Sequence, residues 1–115
     1  TQHHNLMKWI YLLVAIITEV IATSALKESE GFSKTLPSVV VIVGYSLTFY
    51  FMSLTLKEMS VGITYAIWSG MGILLISLIG YFKYNQVLDG PGILGMTFIV
   101  IGIIILRFFS KSIEA

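Results

Sequence analysis

Polar residues in this chain are gathered into short intervals, and between them lie four long apolar runs. The runs span residues 9–26, 38–56, 61–82 and 91–109. At ~1.5 Å of helical rise per residue, the first three approach or exceed the ~30 Å hydrocarbon thickness of a bilayer. The fourth, from Pro91 to Leu106, reaches it when Phe108 and Phe109 are included. None of the runs alternates with period two, so a β-barrel is not indicated. Backbone groups in lipid must pair within their own segment, which predicts four transmembrane helices. The connections "KESEGFSKTLP", "KEMS" and "KYNQVLDG" are short, with Gly31 and Pro37 expected as breakers and Pro91 in the first turn of the last helix. Trp9, Tyr11, Tyr81, Tyr84, Phe108 and Phe109 fall near run ends, where interfacial aromatics gather.

Composition supports a membrane protein. Hydrophobic residues make up 57% of the chain and charged residues 11%, against about 25% charged in a soluble domain. There is no cysteine, so neither a disulfide framework nor a thiolate metal site is expected. His3 and His4 lie in "TQHHNL", just before Met7. Residues 1–6 are read as a leader or cloning remnant and residues 7–115 as a single four-helix transmembrane domain. The net charge of +1 gives no basis for nucleic-acid binding.

Short connections make neighbouring helices alternate in direction. Lys8, Lys57, Arg107 and Lys111 then share one side of the membrane, and Lys27, Lys34 and Lys83 the other. Lysine and arginine bias sets orientation, and here the two sides nearly balance. One reading is a single, weakly biased topology. The other is dual topology, in which copies insert both ways and pair antiparallel.

Glu19, in "IITEVIATSALK", is the sole Asp, Glu, Lys, Arg or His within residues 9–26, 38–56, 61–82 and 91–106; Arg107 stands at the end of the fourth run. A charge at the bilayer centre costs roughly 2.5–3.5 kcal/mol on insertion scales. No basic residue within those bounds can neutralise it. A structural glutamate would stay protonated and hydrogen-bond a neighbouring helix. A functional one would take a proton from one side or exchange it for a cation, the logic of a proton-coupled cation carrier. Its helical neighbours Ala15, Ala22 and Thr23 are small, so something can approach that face closely.

Tyr45, Phe49 and Trp68 lie within ~5–6 Å of Glu19 in expected depth. Tyr65, Trp68 and Gly72 share one face of the third helix; Tyr45, Phe49 and Met52 share one face of the second. Such stripes are commonly packing surfaces. Here they are polar-tipped and level with the lone acid. Buried tyrosine hydroxyls and indole N–H groups need partners, which a carboxylate can supply. Aromatic faces also attract organic and quaternary ammonium cations. The expected ligand is therefore an aromatic, hydrophobic or quaternary cation, bound without strict shape selection. Gly70 and Gly72 in the third helix allow a kink or a close approach. Gly95 and Gly102 share a face of the fourth helix and suit a helix–helix seam. One chain offers little volume for a ligand chamber, so at least a dimer is expected.

With "TEVIATSALK", "SEGF", "PS", "YAIWSGMG" and "LD", the chain resembles the small multidrug resistance transporters over nearly all of its length from Met7. That resemblance implies an all-α integral membrane protein, with four transmembrane helices per subunit in an antiparallel homodimer, in the bacterial inner membrane. It implies exchange of protons for cationic drugs, with no cofactor. It places the coupling acid on Glu19 and ligand contacts on Tyr65 and Trp68. Further chamber positions fall on Tyr45, Phe49, Ala15, Ala22, Thr23 and Ser69. The third-helix kink falls on Gly70 and Gly72, and the dimer motif on Gly95 and Gly102. The guanidinium-exporting branch typically has tryptophan three residues after the glutamate. Ala22 stands there, which favours the quaternary ammonium branch and predicts a roomier chamber. Two positions depart from the pattern. A proline common before the third helix is Ser60 here, which predicts a looser turn. Arg107 stands where drug exporters often have a neutral residue, and it can snorkel to the interface.

The expected function is a proton-coupled antiporter in which protons and drug compete for Glu19 by alternating access. Alternatives are a narrow exporter of guanidinium or polyamine-like metabolites, acting alone or as half of a heterodimer, and a passive membrane subunit. No nucleophile–base pair, metal cluster or phosphate loop points to an enzyme.

Overall fold

The computed structural model describes residues 2–114, with side chains from Leu6 onward. Thr1, Ala115 and the side chains of residues 2–5 lie outside the described residues, the histidines of the expected leader among them. Four helices account for nearly all the rest: α1 (Gln2–Glu28), α2 (Thr35–Thr55), α3 (Val61–Tyr84) and α4 (Gly90–Phe108). Each contains a stretch long and apolar enough to cross a membrane. The backbone of α1 is already helical through most of the segment expected as a leader.

Local chemistry explains where the helices stop. Ser29 ends α1: its hydroxyl donates to the Leu26 carbonyl at 2.7 Å and accepts from the Phe32 amide at 3.1 Å. Glu30, Gly31 and Phe32 then adopt positive φ angles of 47°, 73° and 64°. Only the glycine takes that conformation without a steric cost. Pro37, expected as a breaker, lies inside the first turn of α2. Proline's missing N–H is tolerated there, because the first amides of a helix have no intrahelical acceptor. Asn85 closes α3 in a left-handed conformation. Asp89 caps α4, accepting the Gly92 amide at 2.9 Å, with Pro91 in the first turn.

Helix α1 lies at the centre, packed on α2 and on α3, while α4 packs on α3. The core is built on α1, from Leu12, Ala15, Ile16 and Val20, with Met52, Met59 and Ile67 against them. The α1–α2 crossing is close. A Cβ placed on Gly44 would sit 2.8 Å from the Ala22 Cβ. One turn along, the Thr18 and Thr48 hydroxyls meet at 2.8 Å, and Thr48 also donates to the Gly44 carbonyl at 2.9 Å. Small residues and hydroxyl pairs hold helices together in lipid, where burying apolar surface against apolar tails contributes little.

The molecule measures 45 × 35 × 19 Å. Its long axis matches a bilayer with headgroups, about 40–45 Å. Its short axis leaves a slab rather than a closed bundle. Helix α4 has no buried residue.

The two ends are fastened differently. At one end the Ser60 amide donates to the Ile113 carbonyl at 2.7 Å, and its hydroxyl to the Ser112 carbonyl at 2.9 Å. Lys8, with a side chain only 3% exposed, pairs with Glu114 at 2.6 Å. Ser60 therefore does not loosen its turn: it ties that turn to the C-terminal segment through an amide that proline would lack. At the other end Tyr84 donates to Glu28 at 2.5 Å, and Lys83 lies 3.5 Å from the same carboxylate. Outside the spans, Lys34 pairs with Glu30, and that hydrogen bond and charge hold its ammonium above the ordinary lysine range. Both are exposed, so the pair contributes little to stability.

Candidate membrane-embedded carboxylate site

Glu19 projects from the middle of α1 between α2 and α3. Its Oε1 accepts from the Thr23 hydroxyl, one turn on, at 2.8 Å. That hydroxyl also lies 2.6 Å from the Tyr45 hydroxyl of α2. With a single proton, Thr23 can donate only to Glu19, so Tyr45 is the donor to Thr23. The result is a directed chain across the helix pair, from Tyr45 through Thr23 to the carboxylate.

The second oxygen is different. Oε2 is buried and has no hydrogen-bond partner among the described residues. It points at Gly72, where a Cβ would lie 2.9 Å away. No salt bridge among the described residues involves Glu19. A buried polar atom without a partner is uncommon in folded proteins and costs free energy.

Trp68 lies one turn from Gly72 on the same face of α3, about 6 Å along the axis. Its indole Nε1 is also buried without a partner. Tyr65 follows, with its ring centroid 5.3 Å from that of Trp68. The sequence predicted that the aromatic donors would seek the carboxylate directly. Instead, Tyr45 reaches it through Thr23, and the Trp68 N–H reaches no acceptor. Tyr45 and Phe49 stack on α2 at 6.4 Å. Their stripe is split, because Met52 is buried in the core while Phe49 is 61% exposed. Tyr65 is exposed as well. Ser69 turns its hydroxyl back to the Tyr65 carbonyl at 2.7 Å.

The two alanines do not leave room beside the acid. Both are fully buried: Ala15 belongs to the core, and Ala22 meets the backbone of α2 at Gly44. The volume that a larger residue at position 22 would fill is taken by α2, so within one chain the chamber is not roomier there. A sequence signal was available: Thr18 and Ala22 on α1 face Gly44 and Thr48 on α2, two small pairs each four residues apart.

The α3 glycines serve opposite faces. Gly72 gives way to Glu19, whereas a Cβ on Gly70 would sit 2.9 Å from Ile103 of α4. Helix α3 is continuous through both. Gly95 and Gly102 on α4 have open space around them. Arg107 places its guanidinium 4.2 Å from the Trp9 ring centroid, a cation–π contact at the membrane end.

Comparison with known proteins adds to this geometry. The family profile described as "Small Multidrug Resistance protein" matches residues 7–99. The chain is 52% identical over 104 residues to the quaternary ammonium compound-resistance protein QacE of Escherichia coli, covering 90% of this chain and 94% of that one. It is 52% identical over 103 residues to QacF of Klebsiella aerogenes, with the same two coverages. To the multidrug transporter EmrE of Escherichia coli K12 it is 46% identical over 104 residues, again covering 90% and 94%.

Proposed function

Because the chain belongs to the small multidrug resistance family, we propose that it exports lipophilic and quaternary ammonium cations in exchange for protons. The observation that carries this reading is the buried, unpartnered Oε2 of Glu19. A carboxylate desolvated between helices, with one oxygen held and the other free, suits an occupant that changes. A proton fills that role at one stage and an organic cation at another. The names of QacE and EmrE point to quaternary ammonium and multidrug substrates, which suit a site made of one acid and aromatic faces.

In this reading Glu19 couples the two fluxes. Trp68 and Tyr65 on α3 and Tyr45 and Phe49 on α2 supply ring faces for the cation. The working unit is an antiparallel homodimer in the bacterial inner membrane, with α4 as the seam at Gly95 and Gly102. The open space at both glycines and the lack of buried residues on α4 support that arrangement. Exchange of the two subunits' conformations would turn an inward-facing chamber outward. Proton binding at Glu19 would then release the cation.

The test is Glu19→Gln in reconstituted protein, followed by membrane currents over a panel of cations and pH values. The variant is expected to lose proton-linked transport. Full coupled transport by Glu19→Gln would overturn the assignment. An absence of proton-linked flux in the unmodified protein reconstituted alone would favour a passive subunit instead.

A further inference from the structure

A second polar site lies far from Glu19, at the membrane end where the first turns of α1 approach the C-terminal segment. A cavity of about 560 Å³ opens there, lined by Lys8 and Trp9 of α1, Arg107 of α4, and Lys111 and Glu114 of the C-terminal segment. We propose that this cavity holds the phosphate headgroup of an anionic phospholipid.

Charge is the first argument. The lining presents three cations, Lys8, Arg107 and Lys111, against one carboxylate, Glu114. Glu114 is engaged by Lys8 at 2.6 Å. Neither Arg107 nor Lys111 has a carboxylate partner among the described residues. Among the described lining residues the cavity therefore keeps an excess of two positive charges.

Construction is the second argument. The Lys8 side chain is 97% buried, yet among the described residues its ammonium spends only one of three N–H groups, on Glu114. The Arg107 guanidinium is held over the Trp9 ring, which fixes the plane of a group suited to phosphate oxygens. Ser110 adds a hydroxyl to the wall.

Position is the third, and it selects a lipid over a soluble anion. The cavity lies at the ends of two membrane-spanning helices, at headgroup level. Leu6, part of its wall, begins an exposed apolar stripe on α1 that continues through Ile10, Leu13, Ile17 and Ile21. That stripe is a path for an acyl chain running down from a headgroup seated above it. Basic pockets between transmembrane helices are known to bind such headgroups.

Native mass spectrometry of the purified protein in detergent tests this with phosphatidylglycerol and phosphatidylcholine of identical acyl chains. Phosphatidylglycerol adducts are expected to persist at about tenfold lower lipid concentration than phosphatidylcholine adducts. Lys111→Gln should reduce that preference, and Arg107→Gln with Lys111→Gln should abolish it. Lys34→Gln, at the opposite end, should leave it intact. Equal retention of the two lipids by the unmodified protein would overturn the proposal without any variant having to fold. So would a preference that survives the double substitution. Displacement of phosphatidylglycerol by millimolar inorganic phosphate would also overturn it, by showing a site for free anions.

Discussion

The carboxylate of Glu19 occupies the space that a side chain at Gly72 would need: a Cβ there would lie 2.9 Å from Oε2. The contact couples α1 to α3 through the one acid in the spans. It is soft, because Oε2 is the far end of a flexible side chain. Gly72→Ala is therefore expected to displace the carboxylate rather than separate the helices. Substrate affinity and proton-linked transport should fall by an order of magnitude or more, while thermal stability in detergent changes little.

Gly44→Ala makes the opposite case. Its added methyl would meet the Ala22 Cβ at 2.8 Å and the Ala22 Cα at 3.3 Å, and neither atom can swing away. Helices α1 and α2 would have to move apart, at a cost of about 1–3 kcal/mol. A lowered melting temperature with α-helix content retained is the expected result. The two glycine substitutions thus separate damage to the site from damage to the scaffold.

Thr23 and Tyr45 act on Glu19 in series, so their removal should not be additive. Thr23→Val keeps the shape but removes the donor to Oε1. Tyr45→Phe removes the donor to Thr23. Each loss should weaken cation binding by about 1 kcal/mol, roughly fivefold. The double substitution should cost clearly less than the sum, measured by titration calorimetry as a double-mutant cycle. Strict additivity would show that the two hydroxyls act separately.

Ser60→Pro should free the C-terminal segment. Proline removes both the amide that binds Ile113 and the hydroxyl that binds Ser112. With both hydrogen bonds gone, about 1–2 kcal/mol of local fastening is lost. Faster hydrogen exchange across residues 111–114 is expected, with exchange in the α1–α2 core unchanged.

The four spans were legible because lipid imposes a length and an apolar composition on each. Pro37 was misread as a breaker because its place in the first turn depends on where α2 begins, and Thr35 and Leu36 carry no decisive signal. Glu19 stood out as the single acid in the runs. Its surroundings were harder to read. Helical spacing placed Trp68, Gly72 and Tyr65 on one face, but it could not say that Gly72 rather than Trp68 would meet the carboxylate. Ala22 and Thr23 looked alike as small neighbours of the acid. Helix crossing separates them, giving Ala22 to the backbone of α2 and Thr23 to a hydrogen-bond chain. The role of Ser60 depends on a partner at position 113, a separation that no local pattern reveals.

The attachment of α4 sets the order in which a single chain comes apart under load. A force applied at the C-terminus first meets the bonds from Ser60 to Ser112 and Ile113 and the Lys8–Glu114 pair. Once these and the Arg107–Trp9 contact part, α4 is held laterally by α3, with Ile103 settled over Gly70. It can peel away while the Thr18–Thr48 and Ala22–Gly44 contacts of α1 and α2 stay closed. The chain is mechanically a three-helix body with a detachable fourth strut, and the face that holds Glu19 belongs entirely to the body.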